Sequence, residues 1–163
     1  MATDDRGRTI DEIRAWDDDR LEATHDYIQW LFPLASPSGA NPSAPLLDAA
    51  TIEAFRADAR LRDGLLASFE VMLRFFGLKL EQNPPEVSQL PNFSRRAEVW
   101  LGSHNLLRIT RILISLRTLG LEENARAFFD YLVQLNRRER ARIGSSFQFW
   151  QRAMSAPAGD PEG

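Results

Sequence analysis

The chain contains no cysteine. This absence excludes disulfide bonds, thiolate nucleophiles and cysteine-ligated zinc, and it is typical of proteins from a reducing compartment. We therefore expect an intracellular, cytoplasmic location. The two histidines, His25 and His104, lack the spacing of known zinc motifs, and no nucleophile elbow occurs. We predict no catalytic residues, no metal ligands and no cofactor.

Long hydrophobic runs are also missing, since no stretch approaches the roughly 20 apolar residues of a membrane-spanning helix. The first residues, MATDDRGRTIDEI, carry acidic side chains and no apolar core of a signal peptide. The net charge is −3, so nucleic-acid binding is not expected. The sequence predicts a soluble protein without a membrane span.

What the sequence does contain is helical periodicity. A chain of 163 residues with 44% hydrophobic residues can bury the core of one domain. No strand-like alternation stands out, so we predict an all-α fold. Its architecture is an irregular bundle of about six helices around a buried central helix at about 103–119. The polar ends predict a disordered N-terminus at 1–9, a single helical domain at 10–154 and a disordered tail at 155–163.

Local signals place several boundaries. Asp17 is a suitable N-cap for a first helix that Pro33 ends. Gly77 follows the third helix in the position of a C-terminal glycine. Two segments that contain proline, 33–47 and 81–92, predict irregular connections.

The central helix is apolar over most of its circumference, and five of its polar residues form one narrow stripe: His104, Arg108, Arg111, Ser115 and Thr118. Two arginines on a polar stripe of a buried helix require an explanation, because an unpaired buried guanidinium is strongly unfavourable.

Two interpretations of the arginines are open. In the first, their stems carry the charges to solvent, or they pair with a carboxylate such as Asp26 or Glu70. In the second, they line a cleft and hold an anionic ligand, with His104 and Asn105 beside them.

Three stretches resemble one family. HDYIQWLFPL (25–34) with the later NPSAPLL (41–47), and SHNLLRITRILISLRTLGLE (103–122), closely resemble the opioid growth factor receptor conserved-region family. The segment SFEVMLRFFGLKL (68–80) is similar to that family's third helical segment. The resemblance covers roughly residues 12–154.

The resemblance implies an all-helical domain. For vertebrate members it implies an intracellular, nuclear-associated receptor for the pentapeptide met-enkephalin, one that restrains cell proliferation. It also implies a loose, peripheral association with membranes. The expected partner is therefore a short peptide or a small anionic ligand.

We predict a ligand site where the first helix meets the central helix. Its two walls are formed by eight residues: His25, Asp26, Tyr27 and Trp30 on the first helix, and His104, Asn105, Arg108 and Arg111 on the central helix. The arginines would hold a carboxylate or phosphate, and Trp30 or Tyr27 would offer a ring face.

Two alternative functions remain open at this stage. One is an enzyme that acts on a small anionic substrate through His104 together with Arg108 and Arg111. The other is a protein-interaction scaffold that uses the proline-rich loop at 33–47.

Overall fold

The computed structural model describes residues 2–36 and 42–155. These residues form ten helices and one two-stranded sheet: α1 (Ile10–Arg14), α2 (Asp18–Ala23), α3 (Ile28–Leu31), α4 (Ala49–Ala57), α5 (Ala59–Phe76), β1 (Leu78–Glu81), β2 (Glu86–Gln89), α6 (Phe93–Trp100), α7 (Asn105–Thr118), α8 (Glu122–Arg138), α9 (Arg140–Ile143) and α10 (Ser146–Ser155). The predicted all-α class is confirmed. The predicted number of about six helices is too low for the described residues, because four of the ten helices are only four to six residues long.

The buried central helix is also confirmed, and α7 is that helix. Ile109, Ile112 and Leu116 on α7 are fully buried, and α7 packs against α8 and α10. One side is open, since Leu107 is 68% exposed. The helix is therefore less uniformly buried than its sequence suggests.

Aromatic rings fill the core around α7. The ring of Phe76 lies 5.1 Å from Trp100, and that of Phe69 lies 5.5 Å from Phe128, measured between centroids. The indole of Trp100 donates a hydrogen bond to the Phe76 carbonyl at 2.9 Å. This bond satisfies a polar group that burial would otherwise leave unpaired.

The segment at 81–92 was expected to be irregular, and this prediction is wrong. It contributes the end of β1 and all of β2, which pair antiparallel. Each strand has only four residues, so the alternation of buried Leu78 and Val87 with polar neighbours is too short to stand out beside the long helical patterns.

The prediction of a single first helix from Asp17 to Pro33 is also wrong. Asp17 does cap α2, since its side chain accepts from the Arg20 N–H at 2.9 Å. The helix ends at Ala23, however, and α3 begins only at Ile28. The break between α2 and α3 is explained by side chains from α7, as described below.

The proposed division of the chain stays a prediction, but residues 3–9 make specific contacts. Asp4 is buried and accepts hydrogen bonds from the backbone of Arg6 and from the side chain and backbone of Arg8. In the loop at 33–47, the Leu47 N–H donates to the Leu34 carbonyl at 3.0 Å. Residues 37–41 of this loop and 156–163 of the tail lie outside the described residues, so the scaffold hypothesis stays a prediction.

Candidate functional site

The break between α2 and α3 is held by Arg108 of α7. Its guanidinium donates to the Leu21 carbonyl at 3.1 Å and to the Thr24 carbonyl at 2.7 Å. These carbonyls lie at the end of α2, where the helix leaves them without an internal partner. Arg108 is 5% exposed and also donates to the Asn105 side-chain carbonyl at 3.0 Å. The buried charge is thus surrounded by oxygen acceptors.

Two further residues of the polar stripe bind the segment after the break. Nε of Arg111 donates to the Phe32 carbonyl at 2.7 Å, and the Ser115 hydroxyl donates to the Pro33 carbonyl at 2.9 Å. Burial lowers the pKa of Arg111 to about 10, still well above neutrality, so the side chain remains charged. The stripe therefore recognises backbone carbonyls across 21–33.

These contacts differ from both interpretations of the arginines made from the sequence. Asp26 instead pairs with Arg6 at 2.6 Å and with Arg8 at 2.9 Å. Neither Arg108 nor Arg111 forms an ion pair with a described carboxylate. Backbone carbonyls are uncharged, so a sequence pattern that looks for an acidic partner does not identify them.

Tyr27 lies inside this junction. It is 0% exposed, its hydroxyl donates to the Leu21 carbonyl at 2.8 Å, and the Arg108 guanidinium lies 5.1 Å from its ring centroid. Burial raises the pKa of Tyr27, so the phenol stays protonated and keeps this hydrogen bond. Tyr27 offers no ring face to a ligand at the surface, contrary to one option in the predicted site.

Four residues at the outer end of the junction, Glu22, His25, His104 and Asn105, form what we call the junction cluster; Asn105 is fully buried beneath the other three. The rings of His25 and His104 meet edge to face with centroids 4.9 Å apart. His104 Nε2 lies 3.9 Å from one carboxylate oxygen of Glu22, and the Asn105 amide donates to the other at 2.9 Å. Glu22 thus has one oxygen fixed by the Asn105 amide and the other near the His104 ring.

The charge state of His104 follows from its neighbours. Burial lowers the pKa of His104, and the charges of Arg108 and His25 lower it further, while Glu22 opposes them. The side chain is still 43% exposed. A mostly neutral imidazole next to a carboxylate presents hydrogen-bond acceptors to a ligand at neutral pH.

Trp30 does not join the junction cluster. It lines a separate groove of about 180 Å³ with residues of α1, α4 and α5, among them Ile10, Phe55 and Leu65. Phe32, two positions on, is fully buried. Of the two rings, Phe32 therefore turns into the core and Trp30 turns toward the groove.

Of the eight residues in the predicted site, six lie together at the junction of α2, α3 and α7: His25, Tyr27, His104, Asn105, Arg108 and Arg111. Asp26 turns to the N-terminal arginines, and Trp30 lines the groove. Glu22 was missed. No local pattern could have shown it, because α2 ends at Ala23 and Glu22 reaches His104 only through the packing of α2 on α7.

Within the part of the chain that the structure describes, neither a metal site nor a membrane-spanning helix is found. No group of three histidine or acidic residues there is arranged to hold a metal ion. No described helix is both long and apolar enough to cross a membrane.

Comparison with known families gives a match over nearly the whole chain. Residues 3–154 match the model of the opioid growth factor receptor conserved region. This range includes every residue of the junction cluster and all ten helices except the last residue of α10.

Curated proteins are similar to the same region. The chain is 46% identical over 116 residues to the mouse opioid growth factor receptor, covering 69% of the chain and 18% of that protein. It is 43% identical over 117 residues to the human receptor, covering 69% and 17%. It is 42% identical over 120 residues to opioid growth factor receptor-like protein 1 of Xenopus tropicalis, covering 71% and 23%. The match spans about a fifth of the length of these relatives. No solved structure matches the chain.

Proposed function

The chain belongs to the opioid growth factor receptor conserved-region family, and on this premise we propose that it is a receptor-type module that binds a short peptide without catalysis. The relatives carry the word receptor in their names, which supports a ligand of some kind. We also infer an intracellular location, supported by the absence of cysteine.

The observation that carries the proposal is the junction cluster. The carboxylate of Glu22 lies 3.9 Å from Nε2 of His104, and the ring of His25 packs edge to face on the His104 ring. A free α-amino group has three N–H donors and a positive charge, so a carboxylate and an uncharged imidazole nitrogen such as that of His104 are suitable acceptors for it. The cluster therefore suits the N-terminal amine of a peptide.

Arg108 and Arg111 have a supporting role in this proposal. Their donors already bind the carbonyls of residues such as Thr24 and Phe32, which fixes the two halves of the 21–33 segment against α7. They position Glu22 and His25 for the ligand and do not themselves hold an anion.

The state of Ser103 supports binding rather than catalysis. Its hydroxyl donates to the Trp100 carbonyl at 2.8 Å and accepts from the Asn105 side-chain amide at 3.0 Å. A nucleophilic serine needs its proton directed at a base such as His104. Ser103 directs its proton away from the cluster.

The test is calorimetric titration with met-enkephalin, the peptide that the family resemblance implies, and with a scrambled pentapeptide. We expect selective binding of micromolar strength or better, on the order of −8 kcal/mol. N-acetylated met-enkephalin lacks the ammonium group, so it should bind at least about tenfold more weakly, as expected when a charge-assisted hydrogen bond is lost.

The matched variants are Glu22→Gln, which removes the carboxylate of the cluster, and Glu123→Gln, which removes an exposed carboxylate on α8. Only the first should weaken binding. Equal binding of the native, scrambled and acetylated peptides would exclude the proposed role of the cluster.

A further inference from the structure

A second cleft, of about 430 Å³, lies between β2 and α8. One wall is the continuous stretch 85–89, which includes all of β2. The other wall is a single stripe of α8: Ala127, Asp130, Tyr131, Gln134 and Arg138. Their spacing of three or four residues, with one adjacent pair, places them on one helical face. The cleft thus runs along a strand on one side and a helix on the other.

The outer edge of β2 is unpaired. The Leu90 N–H donates to the Gly77 carbonyl at 2.8 Å, which fixes the hydrogen-bonded pairs in the register of the hairpin. Because such pairs alternate in an antiparallel ladder, the backbone groups of Val87 and Gln89 point away from β1. Among the described residues, nothing forms a hydrogen bond with these outward groups.

Tyr131 adds a buried donor to the same cleft. The residue is 7% exposed, and its hydroxyl oxygen accepts from the Gln89 side-chain amide at 3.0 Å. No described residue accepts the proton of this hydroxyl. Burial raises the pKa of Tyr131, which keeps that proton in place. The hydroxyl can therefore donate a hydrogen bond to a carbonyl of a peptide that enters the cleft.

The charges of the cleft favour a cationic ligand. Glu86 and Asp130 both line it, and neither has an ion-pair partner among the residues that the structure describes. Arg138 is the one cation of the lining, and it lies near the Tyr131 hydroxyl. Two unpaired carboxylates leave room for a lysine or arginine side chain.

We propose that this cleft binds an extended segment of a partner protein, which adds to the hairpin as a third strand through Val87 and Gln89 and places a basic side chain between Glu86 and Asp130. Strand addition beside a helix is a known mode of peptide recognition. The α8 stripe is about 16 Å long at 1.5 Å per residue, which is the length of about five extended residues. This surface is separate from the junction cluster, and the inference does not depend on the proposed function.

The test is NMR of the isotopically labelled chain with blocked pentapeptides. The probe is a mixture with lysine at the centre and β-branched residues on both sides, and the matched mixture carries glutamate at the centre. At millimolar concentration, the lysine mixture should shift the amide resonances of Val87 and Gln89, and the glutamate mixture should not. Asp130→Asn should weaken binding about tenfold, while Glu123→Gln should leave it unchanged.

A second variant, Tyr131→Phe, keeps the buried ring and removes only the donor, so it should weaken binding several-fold without unfolding the domain. Three results would overturn the proposal: no shift at Val87 and Gln89, equal shifts with both mixtures, or shifts confined to His25 and His104. The last result would point to the junction cluster, so the outcomes for the two sites are distinguishable.

Discussion

The guanidinium of Arg108 lies 2.7 Å from the carbonyl oxygen of Thr24. This contact joins the central helix to the end of α2, far away in the sequence, and it explains why the helical pattern at 17–33 is interrupted. A helix that continued through Thr24 would direct this carbonyl into its own backbone ladder. The position of the junction cluster therefore depends on a contact between α7 and a backbone oxygen.

Replacement of Arg108 tests this dependence. Arg108→Met keeps much of the buried stem but leaves the carbonyls of Leu21 and Thr24 without their donor. We expect the free energy of unfolding to fall by about 3 kcal/mol, since buried acceptors lose their partners. Arg137→Met, at an exposed position of α8, should change it by less than about 0.5 kcal/mol. Urea denaturation measures both, and equal effects would contradict the structural role of Arg108.

Ser115 provides a milder test of the same stripe. Its buried hydroxyl donates to the Pro33 carbonyl at 2.9 Å. Ser115→Ala removes this single neutral hydrogen bond, so we expect a loss of about 1 kcal/mol in the free energy of unfolding. Ser94→Ala, at an exposed position on α6, serves as the control in the same denaturation experiment. If Ser115→Ala lowers the free energy of unfolding no more than the control does, the hydrogen bond to the Pro33 carbonyl does not stabilise the fold.

The sequence was informative where the signal is periodic. The central helix and the turn at Gly77 were predicted because apolar spacing and a C-terminal glycine are local features. The family resemblance was also confirmed, and the family model matches residues 3–154. Long amphipathic segments can be predicted from the sequence alone, because the spacing of their apolar residues identifies the face that will be buried.

The missing parts depend on contacts between distant segments. The break after Ala23 is held by Arg108, and sequence spacing does not show that this arginine binds carbonyls rather than a carboxylate. Each strand of the hairpin has only four residues, too few for a strand pattern to stand out in the sequence. Glu22 joins His104 only through the packing of α2 on α7. Six of the eight residues predicted for the site do lie together, the sequence did not show what its arginines bind, and ligand binding at this junction stays a prediction.

The pKa of His104 gives a test by pH. Burial and the charge of Arg108 lower this pKa below the ordinary value of 6.5, and Glu22 opposes the shift. The neutral imidazole is therefore favoured in the folded state. Its contribution to stability is complete above pH 6.5 and is lost as the pH falls through the lowered pKa.

An NMR titration of the His104 ring measures this value directly. Glu22→Gln removes the neighbouring negative charge, so it should lower the pKa of His104 further. Glu123→Gln, on the exposed face of α8, should leave the pKa as it is. A pKa of 6.5 or above in the unmodified chain would show that solvent reaches His104 more freely than its position indicates.

Gly64 inside α5 and Gly77 at the C-terminal end of α5 make a matched pair of positions for substitution by alanine. Gly77 has a φ of +81°, and a Cβ there would lie 2.9 Å from the Phe93 Cα. Gly64 lies in the helix interior, where a Cβ would contact only the Arg14 side chain, at 3.4 Å. Gly77→Ala should destabilise the chain by roughly 2 kcal/mol or more, because the left-handed conformation alone costs about 1–2 kcal/mol for an L-residue. Gly64→Ala should stabilise it by up to about 1 kcal/mol, since alanine favours helix. Thermal unfolding of the two variants should shift the midpoint in opposite directions, and a shift in the same direction would contradict the close approach of α6 to the end of α5.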